Sequence, residues 1–283
     1  VISRDDTYLI DPVGDSIEIE IYVPTFEKDI LILDGTVEDA SLPDFDGLIT
    51  DQVTDSAYYE IFGGNRGDLI VDDRDFARRR FPNNRTIRKY KMVVWIKDHF
   101  ATVPYFAEES SNLEAYLHAG GKLVMIGSNI MQSFMDNSYY LTAPCEPCIT
   151  YPAKFSSGSW NWFMNEILHV NFGYIGDLIG NFNSAEGINQ YSGLVLNPDT
   201  SKIADIWPNY NKLSNVDVVI EPGGFTVPIL KINSDDGYVD QEACGVRYYG
   251  SGFDVIYIGA PIWHMEAEDA KLLGEKILED MDF

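Results

Sequence analysis

The stretch KLVMIGSNI, residues 122–130, decides the fold that this sequence predicts. Its apolar run ends at Gly127, and Ser128 opens a segment with a helical pattern. Short and nearly continuous apolar runs are typical of strands that are buried on both faces, as in a parallel sheet. Further runs of this type are DILILD (29–34), DLIVDD (68–73), KMVVWIKD (91–98) and FDVIYIGAPI (253–262).

Helical patterns lie between these runs. TDSAYYEIF (54–62) begins with Thr and Asp, and YFAEESSNLEAYLHA (105–119) is followed by two glycines, which commonly end a helix. SWNWFMNEILHV (159–170) and MEAEDAKLLGEKILEDM (265–281) have amphipathic spacing. In the last of these helices, the residues predicted to be buried are Leu272, Leu273, Ile277 and Leu278. The alternation of strand and helix predicts an α/β fold, a three-layer sandwich with a mostly parallel sheet.

Two regions depart from this alternation. Residues 171–252 are rich in Gly, Asn and Pro, and short strands such as VPILKI (227–232) predict an antiparallel extension of the sheet. Near the start of the chain, SIEIEIYV alternates apolar and polar residues, which predicts a short N-terminal β segment. We therefore expect residues 1–25 to be the C-terminal strands of an upstream β-sandwich-like domain or a linker, and 26–283 to form the α/β domain.

The charge of the chain limits its partners. The 283 residues include 45 acidic and 20 basic side chains, and the net charge is −25. Such a chain repels phosphate backbones and anionic lipids, so we expect no nucleic-acid binding. No apolar run is long enough to span a membrane. Because the chain begins at Val1 within a strand-like stretch, we expect it to be a piece of a longer, secreted or cell-surface polypeptide.

The three cysteines leave alternatives open. Cys145 and Cys148 form the sequence CEPC in a loop rich in Pro and Tyr, whereas a thioredoxin-type CxxC needs a helix N-terminus after a strand. No second pair of zinc ligands is apparent. A local or structural disulfide and free thiols therefore both remain open.

We predict no cofactor, although a loosely bound calcium ion is left open. LPDFDGLITD contains Asp44, Asp46, Gly47 and Asp51. An EF-hand loop with Gly47 at its sixth position would need an acidic residue and a Glu at two positions where this chain has Leu42 and Val53. A second acidic stretch, NSDDGYVDQE, is more simply the solvated tip of a hairpin.

The candidate catalytic residues are Ser128, His264 and Glu266. Ser128 and His264 each follow a predicted strand, so both are expected at the carboxyl edge of the sheet, where sites of open α/β folds lie. A nucleophile, a base and an orienting acid could meet there. A nucleophile elbow needs a second glycine where this chain has Ile130. The alternative is that Ser128 caps the helix that follows it.

Two other motifs have simpler interpretations. FGGNRGD (62–68) is rich in glycine, but it precedes a strand and lacks the Lys-Ser/Thr of a phosphate-binding loop, so a helix end and a turn are expected. RDFARRRFPNNRTIRKYK (74–91) is basic, and pairing with acidic groups of this same protein is expected. Five aromatic residues could line a sugar platform or belong to the core: Trp160, Trp162, Trp207, Tyr210 and Trp263.

Four segments together resemble the class I glutamine amidotransferase-like superfamily, which has a flavodoxin-like sheet. They are DILILDGT, KYKMVVWI, LEAYLHAGGKLVMIGSNI and DVIYIGAPIWHMEAE. More narrowly, the chain is similar to degenerate modules of this kind in secreted bacterial multidomain proteins. In those proteins the module often follows a fibronectin-III- or immunoglobulin-like domain, of which residues 1–25 would be the tail.

The resemblance implies a function without glutamine hydrolysis. The nucleophilic Cys of the superfamily would fall at or beside Ser128, and no Cys is there, whereas His264 and Glu266 match its His-x-Glu. We therefore predict a non-catalytic binding or structural module of a secreted or cell-surface bacterial protein. Its partners would be other domains of the same polypeptide and a carbohydrate or protein ligand. The alternative is a serine hydrolase or carbohydrate-active enzyme that uses Ser128, His264 and Glu266.

Overall fold

This computed structural model describes most of the α/β region of the chain. The described residues are 23–35, 51–63, 71–75, 82–97, 110–128, 130, 153–156, 163–175, 182–206, 213, 216–235, 237 and 239–283. The strands within them are β1 Lys28–Asp34, β2 Val71–Asp75, β3 Tyr90–Lys97, β4 Lys122–Gly127, β5 Ala153–Ser156, β6 Val170–Ile175, β7 Phe182–Gly187, β8 Val195–Leu196, β9 Val218–Pro222, β10 Thr226–Ser234, β11 Ala243–Tyr248 and β12 Asp254–Ile258. The α-helices are α1 Asp51–Phe62, α2 Asn84–Ile87, α3 Ser110–His118, α4 Thr200–Ile206 and α5 Ala267–Asp280.

Five strands form the parallel part of the sheet, in the order β2-β1-β3-β4-β12. This is the order of flavodoxin-like folds, with the last strand of the chain in the fifth position. The register places Ile32 beside Val94, Val94 beside Val124, and Val124 beside Ile256. The apolar runs of the sequence therefore lie side by side in one direction, and the predicted parallel sheet is confirmed.

Helices cover both faces of this parallel part. Ile30 and Ile32 of β1 belong to an apolar cluster that also contains buried residues of α1 and α5. Leu31 and Leu33, which point to the other face, belong to a second cluster with buried residues of α3. Because successive side chains of a strand alternate between faces, a continuous apolar run fills both clusters. The predicted three-layer α/β sandwich is confirmed.

The antiparallel extension begins beside β12. There the sheet continues through β11, β10, β7 and β8, and β9, β6 and β5 branch from β11. Among the described residues, four strand pairs are parallel and seven are antiparallel. The extension is thus larger than the sequence indicates, because short strands separated by turns carry weak individual signals.

Two helical predictions differ from the structure. Of the predicted helix 159–170, the described part forms one π-helical turn, Phe163–Ile167, and then enters β6. His169 has a φ of +49°, which ends the helical path, and pairing of β6 with β5 and β9 outweighs the local pattern. Leu272 is 51% exposed, not buried, because the inward stripe of α5 runs through Leu273 and Ile277 at a helical spacing that leaves Leu272 aside.

Several predictions fall outside the described residues. These are the predicted strands within residues 1–22, the acidic loop 36–50, and the state of Cys145 and Cys148, for which a disulfide and free thiols both remain open. The division between residues 1–25 and 26–283 therefore stays a prediction. Of the helices that the structure describes, none has the length and apolar character to cross a bilayer.

Candidate functional site

Ser128 and His264 lie at the same edge of the sheet. Ser128 directly follows β4, and His264 ends a 3-10 turn, Ile262–His264, that comes shortly after β12. β4 and β12 are parallel neighbours, with Ile126 beside Ile258. The turns after these strands therefore meet at the carboxyl edge of the parallel sheet, as the sequence predicts.

Ser128 is enclosed at this edge. Its side chain is fully buried, its backbone N–H donates to the carbonyl of Lys97 at 2.8 Å, and its Oγ forms no hydrogen bond with any described group. The preceding Gly127 has a φ of +145°, and a Cβ there would lie 2.0 Å from the Lys97 carbonyl oxygen. The backbone at this junction therefore requires glycine at position 127. Within the described residues, the hydroxyl of Ser128 neither bonds His264 nor caps a helix.

His264 and Glu266 differ in their surroundings. His264 is fully buried and stacks on Trp263 at a ring-centroid distance of 5.9 Å. Its backbone carbonyl accepts a hydrogen bond from the N–H of Asp199 at 2.8 Å. Glu266 is exposed at the N-terminus of α5, and its backbone N–H donates to the carbonyl of Asn197 at 2.8 Å. The two residues are thus fixed by backbone contacts, one in the interior and one at the surface.

Three buried charged residues near this edge are not among the candidates that the sequence indicates. Asp34 and Lys97 are the last residues of β1 and β3, and the backbone N–H of Asp217 donates to the carbonyl of Gly259, just after β12, at 2.7 Å. All three are at most 4% exposed. A charged residue directly after an apolar run was the available signal for Asp34 and Lys97. Asp217 had no such signal, since only the branching of β9 brings it to the edge.

Burial dominates the electrostatics of this cluster. The hydroxyl of Tyr257 donates to Oδ2 of Asp217 at 2.5 Å, and the pKa of Tyr257 is raised, first by burial and then by that carboxylate. Burial lowers the pKa of Lys97 to about 8, against the opposing effect of Asp217. An amine with such a pKa is suited to proton transfer near neutral pH. Lys97 is nevertheless enclosed, so neither substrate nor bulk water reaches it in this conformation.

No cofactor or metal site emerges from the residues that the structure describes. Within them, no group of three or more His, Cys, Asp or Glu side chains could hold a metal ion. In the acidic hairpin, Asp235 accepts from the side chain of Asn183 at 2.8 Å, and Asp240 accepts from the backbone of Ser234 at 3.0 Å. Cys244 is a buried free thiol whose pKa is raised by burial to about 12.

Two further motifs have structural roles in the described part. The N–H of Gly63 donates to the carbonyl of Tyr59 at 2.8 Å, so the glycine-rich stretch begins as the end of α1. Trp263 is the one candidate platform aromatic that the structure describes, and the ammonium of Lys202 covers it at 4.1 Å from the ring centroid. That ring is therefore occupied by a side chain of the same protein.

Comparisons with known proteins place the fold but not a family. No family model matches the chain, and no curated protein matches it. Among solved structures, a β-galactosidase from Rahnella matches 90% of this chain at 9% identity with a TM-score of 0.51. A β-galactosidase from Bacillus circulans matches 90% at 13% identity with a TM-score of 0.50. The chain covers 31% of the length of each of these enzymes, so the likeness concerns a part of them.

The assignment to the glutamine amidotransferase-like superfamily is wrong. No family model matches the chain, and the two solved structures that match it with TM-scores of 0.51 and 0.50 are β-galactosidases. A ThuA-like protein from Bacteroides uniformis covers 92% of this chain and 93% of its own, but its TM-score of 0.44 and identity of 12% are too low to support an argument. The narrower identification as a degenerate module behind a fibronectin-III- or immunoglobulin-like domain falls with it. Strand order and turn positions recur across many unrelated α/β proteins, so such patterns do not identify a family.

Proposed function

We propose that this chain is a non-catalytic module of a larger secreted or cell-surface protein, and that it serves binding or architecture. The observation that carries the proposal is the enclosure of Ser128, whose hydroxyl is fully buried and bonds no described group. A serine nucleophile needs a base within hydrogen-bond reach and an opening for its substrate. Neither condition holds for Ser128 within the described residues.

The wider context supports a module. The chain corresponds in length to 31% of each β-galactosidase that it resembles, which is the size of a domain within a larger protein. Its net charge of −25 favours solubility and disfavours phosphate-rich partners. The partners that fit are other domains of the same polypeptide and a neutral carbohydrate or protein ligand.

Active-site labelling tests the proposal against the serine hydrolase alternative. The chain is treated with a fluorophosphonate probe and, separately, with nitrophenyl esters and nitrophenyl glycosides. We expect neither labelling nor hydrolysis above background. The Ser192→Ala variant, which changes an exposed serine, serves as the control for labelling outside the site. Labelling that disappears in Ser128→Ala and persists in Ser192→Ala would establish the hydrolase instead.

Ser128→Ala also has a signature in stability. A buried hydroxyl without a partner costs about 1–3 kcal/mol of desolvation, which alanine does not incur. The free energy of unfolding in urea should therefore stay equal or rise by about 1 kcal/mol. A loss of more than about 1 kcal/mol would mean that the hydroxyl has a bonding role, and the enclosure argument would fail.

A further inference from the structure

Two exposed aromatic residues adjoin at the edge of the sheet where the parallel strands begin. Phe225 lies in the turn before β10, and Tyr249 directly follows β11. They are 66% and 43% exposed, and the N–H of Tyr249 donates to the carbonyl of Phe225 at 3.0 Å. Tyr248 pairs with Val255, near the start of β12. The two aromatic residues therefore lie at the edge opposite to Ser128, which follows the end of β4.

The ladder between β10 and β11 places both side chains on the same face. Thr226 pairs with Tyr248, so Phe225 and Tyr249 stand opposite each other one step further along. The hydroxyl of Thr226 donates to the carbonyl of Leu168 at 2.6 Å, and Tyr248 and Leu168 belong to the apolar cluster that includes α3. Because successive side chains alternate between faces, Phe225 and Tyr249 are on the other face. Cβ atoms of opposite residues in a ladder lie about 5 Å apart.

Both aromatic residues are held in place. The guanidinium of Arg247 lies 4.8 Å from the ring centroid of Tyr249. Arg247 is itself 3% exposed, and it is fixed by Asp254 at 2.9 Å and Asp280 at 3.1 Å. One face of the Tyr249 ring is therefore covered, and its exposure comes from the opposite face and the ring edge. The turn 223–226, which carries the other ring, is closed by a backbone hydrogen bond of 3.0 Å, so binding orders few groups.

Within the described residues, no second pair of exposed aromatic residues exists. The other exposed large apolar residues are Val23, Val53, Tyr59, Val195 and Leu272. Tyr59, on α1, is the one aromatic residue among them. Apolar side chains that are exposed singly are usual on protein surfaces, whereas adjoining ones on a fixed backbone mark interaction sites.

The size of the exposed apolar area limits the ligand. An aromatic side chain buries roughly 200 Å² when it is fully covered, so the exposed shares of Phe225 and Tyr249 offer about 220 Å² together. A stable protein interface needs about 800 Å² on each partner. The residues that follow Tyr249, at 250–252, are Gly, Ser and Gly, which add no large apolar side chain. The area therefore fits one or two sugar rings rather than a folded partner or a second copy of this chain.

A hydrogen-bond acceptor lies beside the rings. Asp254 bonds Arg247 through Oδ1, its side chain is 37% exposed, and its Oδ2 has no hydrogen-bond donor among the described residues. Because the same guanidinium lies against Tyr249, this carboxylate is next to the ring. A carboxylate oxygen accepts strong hydrogen bonds from hydroxyl groups. A flat apolar face with a carboxylate at its margin is complementary to a pyranose, which has C–H groups on its faces and hydroxyls around its rim.

We infer that Phe225 and Tyr249 form an aromatic platform that binds a neutral oligosaccharide. The C–H face of a pyranose stacks on each ring, since the face of an aromatic ring carries partial negative charge. A hydroxyl at the edge of the sugar donates to Oδ2 of Asp254. The net charge of −25 disfavours sugars that carry carboxylates. This inference rests on the proposed function, because it gives the binding module a site and a class of ligand.

The test begins with the whole chain on immobilised polysaccharides: cellulose, xylan, mannan, β-1,4-galactan and, as the acidic member, polygalacturonate. We expect retention on at least one neutral polysaccharide at low salt and in about 1 M NaCl alike, because salt does not screen stacking. No retention is expected on polygalacturonate. The hexasaccharide of the retained polysaccharide is then titrated by calorimetry. Phe225→Ala and Tyr249→Ala should each weaken its binding about five- to tenfold, whereas Tyr249→Phe, which keeps the ring, should stay within about twofold.

Tyr59→Ala is the matched control, because it removes an exposed aromatic ring elsewhere on the same surface. It should leave binding unchanged, and all variants should unfold at urea midpoints close to that of the native chain, since the altered rings are exposed. The inference is overturned if no neutral polysaccharide retains the chain, if Tyr249→Ala binds like the native chain, or if Tyr59→Ala weakens binding as much. It is also overturned if sedimentation shows a dimer that Tyr249→Ala dissociates, since a second copy would then cover the platform.

The outcome for the platform is separable from the outcome for the proposed function. Without retention on any neutral polysaccharide, the enclosure of Ser128 and the absence of active-site labelling would still stand. Hydrolysis of the bound hexasaccharide that disappears in Ser128→Ala would refute the non-catalytic role and leave the platform in place.

Discussion

Because of Lys97, the free energy of unfolding of this protein should rise with pH in the alkaline range. The Lys97 side chain is 4% exposed, and burial lowers its pKa from 10.5 to about 8. Between these two values the unfolded chain holds the proton and the folded chain does not. Stability rises with pH wherever the unfolded state binds more protons, so Lys97 destabilises the fold most below pH 8 and progressively less above it.

The magnitude follows from the two pKa values. Linkage gives a gain of about 2.5 kcal/mol in the free energy of unfolding between pH 7 and pH 10 from this one amine. Other groups act oppositely: Tyr116, Tyr191 and Cys244 have raised pKa values, so their contributions fall as pH rises. The prediction is therefore a difference between the native chain and Lys97→Met, in which these other contributions cancel.

The assay is urea unfolding at pH 7, 8, 9 and 10 under reducing conditions, followed by tryptophan fluorescence. The native chain should gain about 2.5 kcal/mol relative to Lys97→Met over this range. The double variant Lys97→Met, Asp217→Asn is a second reference, because Asp217 without its cationic neighbour can take up a proton. Curves that run parallel within about 0.5 kcal/mol against both references would refute a lowered pKa at Lys97.

Two further predictions concern packing and reactivity. A Cβ at Gly274 would lie 2.5 Å from Cγ2 and 2.6 Å from the carbonyl oxygen of Ile61. Overpacking should therefore lower the free energy of unfolding of Gly274→Ala by about 1–3 kcal/mol, and the better helix propensity of alanine should offset about 1 kcal/mol of this loss. Urea unfolding measures this, and a net gain in stability would contradict the close approach of α1 and α5. The reactivity of Cys244 is measured in a chain that also carries Cys145→Ser and Cys148→Ser, so that it is the one remaining thiol. Because burial raises the pKa of Cys244 to about 12, its thiol should react with a disulfide reagent at pH 8 at least about 100-fold more slowly in the folded chain than in urea. A rate within about tenfold of the unfolded rate would show that the thiol is accessible.

The parallel part of the fold was predictable because its signal is local. Runs such as KLVMIG have the length and apolar continuity of a doubly buried strand, and the observed β4 has the same bounds, Lys122–Gly127. The position of Ser128 after this strand followed from the same signal. The predicted helix over 159–170 was wrong in its described part, because its second half pairs with strands that are distant in the sequence.

The enclosure of the site was not predictable, because it depends on contacts between distant segments. The hydroxyl of Ser128 could bond a base, cap a helix or form no hydrogen bond. Which of these holds depends on the segments that pack against it. Asp217 lies at the edge of the sheet because its backbone N–H donates to the carbonyl of Gly259. The sequence around either residue does not predict that the two are in contact. Family identity was also beyond reach, since turns and strand order are shared by many proteins.

By itself, the sequence determined the apolar runs, their helical partners and the acidic charge, since periodicity and composition act within a few residues or over the whole chain at once. Only the tertiary structure decided that Lys97 lies in the interior with a lowered pKa, and that Asp217 lies beside Gly259 at the edge of the sheet. The physical reason is that desolvation and electrostatic potential depend on every group within several ångströms, and the sequence does not state which groups those are.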